Sequence, residues 1–186
     1  KVCIKRSGAP VIAMGEYRPA AVMLDSTGYG NLAPTYPFGV QAAEVEVDET
    51  TGKIIVKKIV AVHDSGRIFN PQMAAGGVYG GVAQAFGFAM MEQLGINNQG
   101  LLHGGTLLEY KMPTMLDVPE LVVDFVETED PHGPYGAKAL GEPPIVSVLP
   151  AIANAVYDAI GLRLDDAPFT PQKVLQAIEK RNREAM

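Results

Sequence analysis

VQAAEVEVDETTGKIIVKKIVAVHD, residues 40–64, holds two periodic runs joined by a turn. Ala43, Val45 and Val47 alternate with Glu44 and Glu46, the period of a strand with one buried face. DETTG then supplies a turn, with Gly52 placed to take a positive φ. KIIVKKIVAVHD returns as a β-branched run, so the stretch reads as an antiparallel hairpin. SGRIFNP closes the second strand and leads into a helix over residues 72–95. There Val78, Val82, Phe86, Ala89, Met90 and Leu94 recur at helical spacing. That helix is rich in glycine, at 76, 77, 80, 81 and 87, with all but the last in its first half. Each glycine costs about 1 kcal/mol relative to alanine inside a helix. Such a density needs a reason, and close approach of another backbone or a ligand is the physical one.

Downstream, LVVDFVETED (121–130) reads as a further strand. IVSVLPAIANAVYDAIG (145–161) reads as a helix whose apolar face runs through Ile145, Val148, Leu149, Ile152, Val156, Ala159 and Ile160. Pro144 suits its first turn, Pro150 should kink it or shift its start, and Gly161 suits its C-terminal cap. Thr170 and Pro171 are placed to start a last helix. Upstream, residues 1–38 are loop-rich, with Gly or Pro every few residues. The fold class expected is α+β, antiparallel strands with helices packed on them. Residues 1–186 are taken as one domain, with 39–186 as its core.

The composition is that of a globular chain, 47% apolar and 19% charged. The net charge is −6, and the basic residues are dispersed, which argues against a nucleic-acid partner or an anionic membrane surface. Cys3 is the only cysteine, so an intramolecular disulfide or a four-cysteine metal site on this chain is excluded. No apolar run is read as long enough to span a bilayer, and a cytoplasmic location is expected. The chain opens without methionine, and Val2–Ile4 reads as the end of a strand already under way; a larger polypeptide is expected.

Motifs for chemistry are sparse. Gly-x-Gly-x-x-Gly after a strand, Walker, Gly-x-Ser-x-Gly and His-Glu-x-x-His patterns are absent. His63, His103 and His132 have no ligand spacing and read as surface or hydrogen-bonding residues. No residue of this chain is assigned as a metal ligand. Two features stand out. One is the glycine-rich helix start, which reads either as tight helix packing or as a place where backbone N–H groups meet an anionic cofactor. The other is Glu142, between Gly141 and the pair Pro143–Pro144. A carboxylate ahead of a helix gains about 0.3–1 kcal/mol from the helix dipole. Spacing alone favours that explanation. The other explanation is a general base: the prolines stiffen the backbone around Glu142, Gly141 lets a bulky group come close, and a positioned carboxylate is what such catalysis needs.

Four stretches taken together are similar to a known family. They are PTYPFGVQAAEVEVDETTGKIIVKKIVAVHDSGRIFNP, GGVAQAFGFAMMEQ, LLEYKMPTMLDVPEL and GPYGAKALGEPPIVSVLPAIANAVYDAIG, in that order. Over about residues 15–180 the chain resembles the C-terminal part of the molybdenum-binding subunit of the xanthine dehydrogenase/aldehyde oxidase family. The resemblance implies the C-terminal half of a molybdopterin-binding domain. It implies hydroxylation of an aza-aromatic or aldehyde substrate with water-derived oxygen, with Glu142, from the family's Gly-Glu-Pro-Pro element, as the general base. Molybdenum–molybdopterin is the implied cofactor, in the cytosine dinucleotide form if the source is bacterial, with 2Fe–2S iron–sulfur clusters and FAD on other domains or subunits. Gly141, Gly76, Gly77 and Gln84 are the implied cofactor-binding positions. Where this sequence has Gly77 the family commonly has a glutamine contacting the cofactor, so contact there falls to the backbone. The family's other cofactor loops lie upstream of the matched region. The implied partners are therefore the remaining half of the molybdenum-binding subunit and the iron–sulfur and FAD subunits or domains. Such a piece is expected to be inactive and to bind no cofactor tightly when alone. It is also expected to expose an apolar face that could pair it as a homodimer. The alternative from another class is a non-catalytic structural or assembly domain in which Glu142 only caps a helix.

Overall fold

The computed structural model describes residues 12–18 and 21–184. The expected strand end at Val2–Ile4, and Cys3, lie outside the described residues. β1 (Phe38–Asp48) and β2 (Lys53–Asp64) form the antiparallel hairpin. Gly52, at φ 71°, closes the turn by donating its N–H to the Asp48 carbonyl at 2.7 Å. The hydroxyls of Thr50 and Thr51, with the Thr50 N–H, donate to the Asp48 carboxylate and hold its pKa down at about 2.

A bulge decides which residues of β2 face inward. Glu44 pairs with Lys58 but Val45 pairs with Val56, which leaves Lys57 without a partner. Ile54 and Val56 point inward before the bulge, and Ile59, Ala61 and His63 after it. Without the extra residue the alternation would carry Lys58 inward instead.

β5 (Glu120–Phe125) lies on the other side of β2 and pairs with it in parallel, from Lys58↔Glu120 to His63↔Phe125. The sheet among the described residues is thus β1–β2–β5, with one antiparallel and one parallel pairing. The expectation of antiparallel strands holds for the hairpin and fails for β5. A parallel return needs a long crossover, and residues 65–119 provide one.

That crossover contains α1 (Pro71–Met90). Asn70 caps it, accepting the Met73 N–H at 3.1 Å, and Pro71 takes the first helical position. Val78, Val82, Phe86 and Ala89 are buried as the spacing predicts, Met90 is half-buried, and Ala85 joins the buried stripe unpredicted. The helix ends at Met90 rather than 95: Met91 leaves helical geometry, and the chain enters a small pairing of β3 (Gly95–Ile96) with β4 (Leu102–His103). Leu94, expected on the core stripe, is consequently exposed.

The predicted helix over 145–161 is split into α2 (Pro143–Val146) and α3 (Val148–Ile160). Pro150 explains the break at Ser147. It has no N–H to give, and the break places it in the first turn of α3, where the N–H has no helical partner anyway. Gly161 closes α3 in the left-handed region, its N–H bonded to the Tyr157 carbonyl at 2.7 Å. Pro143–Ile160 does reach the length and hydropathy of a membrane span, against expectation. The break at Ser147 and the complete burial of Val148, Ile152 and Val156 account for that composition: α3 is a core helix seated on β1. α4 (Pro171–Glu184) follows Thr170 as predicted, and its Val174 and Ile178 complete the core with Phe169.

Candidate functional site

Glu142 lies on an arch of chain between β5 and α2. Its side chain caps no N–H of α2, and its backbone is already in the helical region, at φ −98° and ψ −30°. It is exposed at the rim of an open groove of about 450 Å³, lined also by Pro37, Gly39, Ala139, Pro143, Val146 and Ser147. Gly39 belongs to β1, so the groove joins the hairpin to the arch.

The arch is packed against α1 at one point. A Cβ built on Gly81 would lie 2.8 Å from Pro144 Cβ and 3.5 Å from Ile145 Cγ1. Only a residue without a side chain lets α1 and the Pro143–Pro144 pair meet this closely. The glycines are therefore of two kinds. Gly81 faces the arch, whereas Gly76, Gly77 and Gly80 would place a Cβ in open space. At 100° per residue, Met73, Gly77, Gly80 and Gln84 share one exposed face, opposite the buried stripe. α1 carries no charged residue at all. Its outward face is therefore built of glycine, methionine and glutamine, with no charge to hold it in water.

The structure corrects one expectation here. Gly76 and Gly77 sit beyond the first four residues of α1, where N–H groups are already bonded within the helix. They offer bare, close-approach surface rather than N–H donors. Gln84 is exposed on the same face, and Gly141 adjoins Glu142 with open space beside it. Glu142 and Gly141 therefore share the arch, while Gly76, Gly77 and Gln84 share the α1 face. The contact at Gly81 joins these two elements.

Beneath Glu142 is a polar cluster that the sequence reading did not assemble. Gln41 donates from Nε2 to the Pro144 carbonyl at 2.8 Å, and the same nitrogen is 3.4 Å from His63 Nε2. A flipped amide would set two oxygens face to face, so the nitrogen belongs at this end. His63 is 1% exposed, and burial pushes its pKa below the ordinary value, so the ring is neutral. It was expected at the surface or in a hydrogen-bonding role; the bulge in β2 is what turns it inward. A side chain at Gly39 would fall 2.6 Å from His63 Nδ1. Gln41 Oε1, His63 Nδ1 and Ser65 Oγ are buried without a partner among the described residues. One signal could have found Gln41: the alternation Ala43, Val45, Val47, carried one step back, puts an amide on the buried face.

A second fastening lies at the start of the arch. Lys138 Nζ is 2.8 Å from Asp64 Oδ2 and 2.8 Å from Thr128 Oγ1, with the two charged side chains 7% and 12% exposed. Burial alone would raise the Asp64 carboxyl. The Lys138 ammonium, the Thr128 hydroxyl and the Gly66 N–H outweigh it and hold the group well below the usual carboxylate range. The backbone is stitched at the same place: Lys138 N donates to the Ser65 carbonyl at 2.7 Å and Arg67 N to the Gly136 carbonyl at 3.0 Å. Gly66 permits this, since a Cβ there would lie 2.1 Å from the Gly136 oxygen.

Residues 2–119 match the family model described as a molybdopterin cofactor-binding domain. The chain belongs to that family. It is 42% identical over 140 residues to the xanthine dehydrogenase molybdenum-binding subunit of Escherichia coli O157:H7, covering 75% of this chain and 19% of that protein. It is 35% identical over 151 residues to the carbon monoxide dehydrogenase large chain of Hydrogenophaga pseudoflava, covering 80% and 19%. Its fold matches the crystal structure of the aldehyde oxidoreductase from Desulfovibrio desulfuricans with a TM-score of 0.81 at 34% identity, covering 94% of this chain and 19% of that one. The chain thus spans about a fifth of the length of these relatives. Membership agrees with the resemblance carried by the four sequence stretches.

Proposed function

We propose that this chain is one wall of the active site of a molybdenum hydroxylase that oxidises an aza-aromatic or aldehyde substrate with oxygen derived from water. Glu142 is its general base. The observation that supports the reading is that Glu142 lines an open groove from a stiffened arch and its side chain is not used by the helix that follows. A carboxylate engaged in capping would be turned toward the helix N–H groups, with fewer lone pairs free for a substrate-side proton.

The residues present fit a large cofactor. Gly76, Gly77 and Gly80 leave open space where any other residue would place a side chain, and Gln84 adds an amide donor and acceptor on the same face. Gly141 leaves similar room beside Glu142. These residues would hold the molybdenum–molybdopterin group by close backbone approach, with the cytosine dinucleotide form expected in a bacterial source. When bound, that group supplies a two-electron acceptor and activates water. Glu142 would take the proton from the water-derived oxygen as that oxygen bonds to the substrate carbon and the carbon's C–H bond breaks, its electron pair passing to that two-electron acceptor, and would later release the proton to solvent through the open side of the groove. Pro143 and Pro144 restrict how far the carboxylate can swing. The family likeness to an aldehyde oxidoreductase supports the aldehyde half of the substrate class.

The uncharged α1 face and exposed Leu107, Leu108, Met115 and Leu116 support a chain covered by further polypeptide. The reading assigns that cover to the remaining half of the molybdenum-binding subunit, with iron–sulfur and FAD domains or subunits beyond it, in the cytoplasm. Glu142→Gln in the complete enzyme tests the proposal. Turnover should fall by about 10²–10⁴-fold, the usual worth of a general base, with folding intact. Unchanged turnover would establish the structural or assembly role instead.

A further inference from the structure

The residues from Ala139 to Pro143 hang between two fastenings, and both reach the same rigid piece, the β1–β2 hairpin. At the upstream end, Lys138 is tied through its ammonium to Asp64 on β2, and through its N–H to Ser65 just beyond that strand. At the downstream end, the Pro144 carbonyl is held by Gln41 of β1. Gln41 is itself backed by the buried ring of His63 on β2, whose Nε2 lies 3.4 Å from the same amide nitrogen. Neither fastening is part of the hairpin's own ladder or turn. Both act on the few residues that carry Glu142. From this geometry we infer that Gln41 and the Lys138–Asp64 pair are positioning residues that set where the Glu142 carboxylate stands in the groove.

The inference rests on the reading of Glu142 as the base and adds a claim about what aims it. Neither Gln41 nor Lys138 lines the Glu142 groove, so loss of either should change how often the carboxylate is correctly placed rather than how substrate binds. A misplacement on the scale of 1 Å is worth up to about 10²-fold in rate. The amide of Gln41 donates; a carboxylate of the same shape cannot, and an apolar group of the same size cannot.

The test uses the complete enzyme containing this chain, loaded with its cofactor, and compares Gln41→Leu, Gln41→Glu, Lys138→Met and Glu142→Gln. Gln41→Leu and Gln41→Glu should each lower kcat about 10- to 100-fold with KM within about twofold, at unchanged molybdenum content. Backbone hydrogen exchange across residues 139–146 should quicken in both, while that of the hairpin strands stays as it is. Lys138→Met should do the same. If it fails to fold because Asp64 is left uncompensated, Lys138→Met with Asp64→Asn removes both charges and takes its place. Gln41 variants with native kcat, or with KM alone altered, overturn the inference, and so does faster exchange with kcat unchanged. If these results come with a Glu142→Gln enzyme that has lost turnover, Glu142 remains the base and only its aiming by Gln41 is refuted. A Glu142→Gln enzyme with native turnover overturns the base itself, and the inference with it.

Discussion

Asn70–Pro71 and Glu142–Pro143 put a polar side chain ahead of a proline that begins a helix, and they use that side chain in opposite ways. Asn70 is extended, at φ −141° and ψ 98°, and turns its amide oxygen back onto the Met73 N–H. Glu142 is already helical in φ and ψ, and its carboxylate caps nothing. The first arrangement stabilises a helix of 20 residues; the second precedes a helix of 4 and leaves a charged group standing at a groove. The same local pattern therefore serves stability in one place and frees a side chain in the other. What separates them is the neighbouring chain: the residues before Glu142 are tied to the β1–β2 hairpin, and those after it are pressed onto Gly81.

The largest expected effect on stability comes from removing that pressure point. Gly81→Leu should force Pro144 away from α1 and cost about 1–3 kcal/mol through overpacking, read as a lowered urea midpoint of the chain. If the midpoint is unmoved, the contact between α1 and the arch is looser than its geometry states. Asn70→Ala should cost about 1 kcal/mol by the same measurement, because the Met73 N–H loses its acceptor. Gly77→Ala should act in the other direction, stabilising the chain by up to about 1 kcal/mol, since its Cβ meets nothing. The same change should lower cofactor retention in the complete enzyme if that face is covered there. Glu142→Gln should change the midpoint by less than about 0.5 kcal/mol, as expected for a group with no structural bond. A loss as large as that of Asn70→Ala would make the two helix starts alike and remove the contrast.

The hairpin was legible because its information is local. Val45 and Val47 against Glu44 and Glu46 fix a face, and Gly52 fixes a turn, whatever the rest of the chain does. The buried stripe of α1 and the caps at Thr170 and Gly161 were legible for the same reason. Pro150 announced a disturbance in the helix that follows Glu142, and the break at Ser147 is that disturbance. Less could be read where the deciding contact joins distant residues. The parallel pairing of β5, the early end of α1 and the burial of the apolar run Pro143–Ile160 in the core all depend on what those segments pack against.

The site divides along the same line. Glu142 and Gly141 were visible as residue types in an unusual setting, flanked by prolines. The density of glycine in α1 was visible too, but not which of those glycines meets the arch and which lie open. Gln41, His63, Asp64 and Lys138 carried no motif. A one-residue bulge turns His63 inward, and chain folding sets Gln41 and Lys138 at either end of the Glu142 arch, although they lie 97 positions apart in numbering, 138 against 41. Periodicity and backbone stereochemistry act within a few residues and can be read along a chain. Hydrogen bonds and ion pairs between remote side chains depend on three-dimensional distance, and that exists only once the sheet and helices have packed.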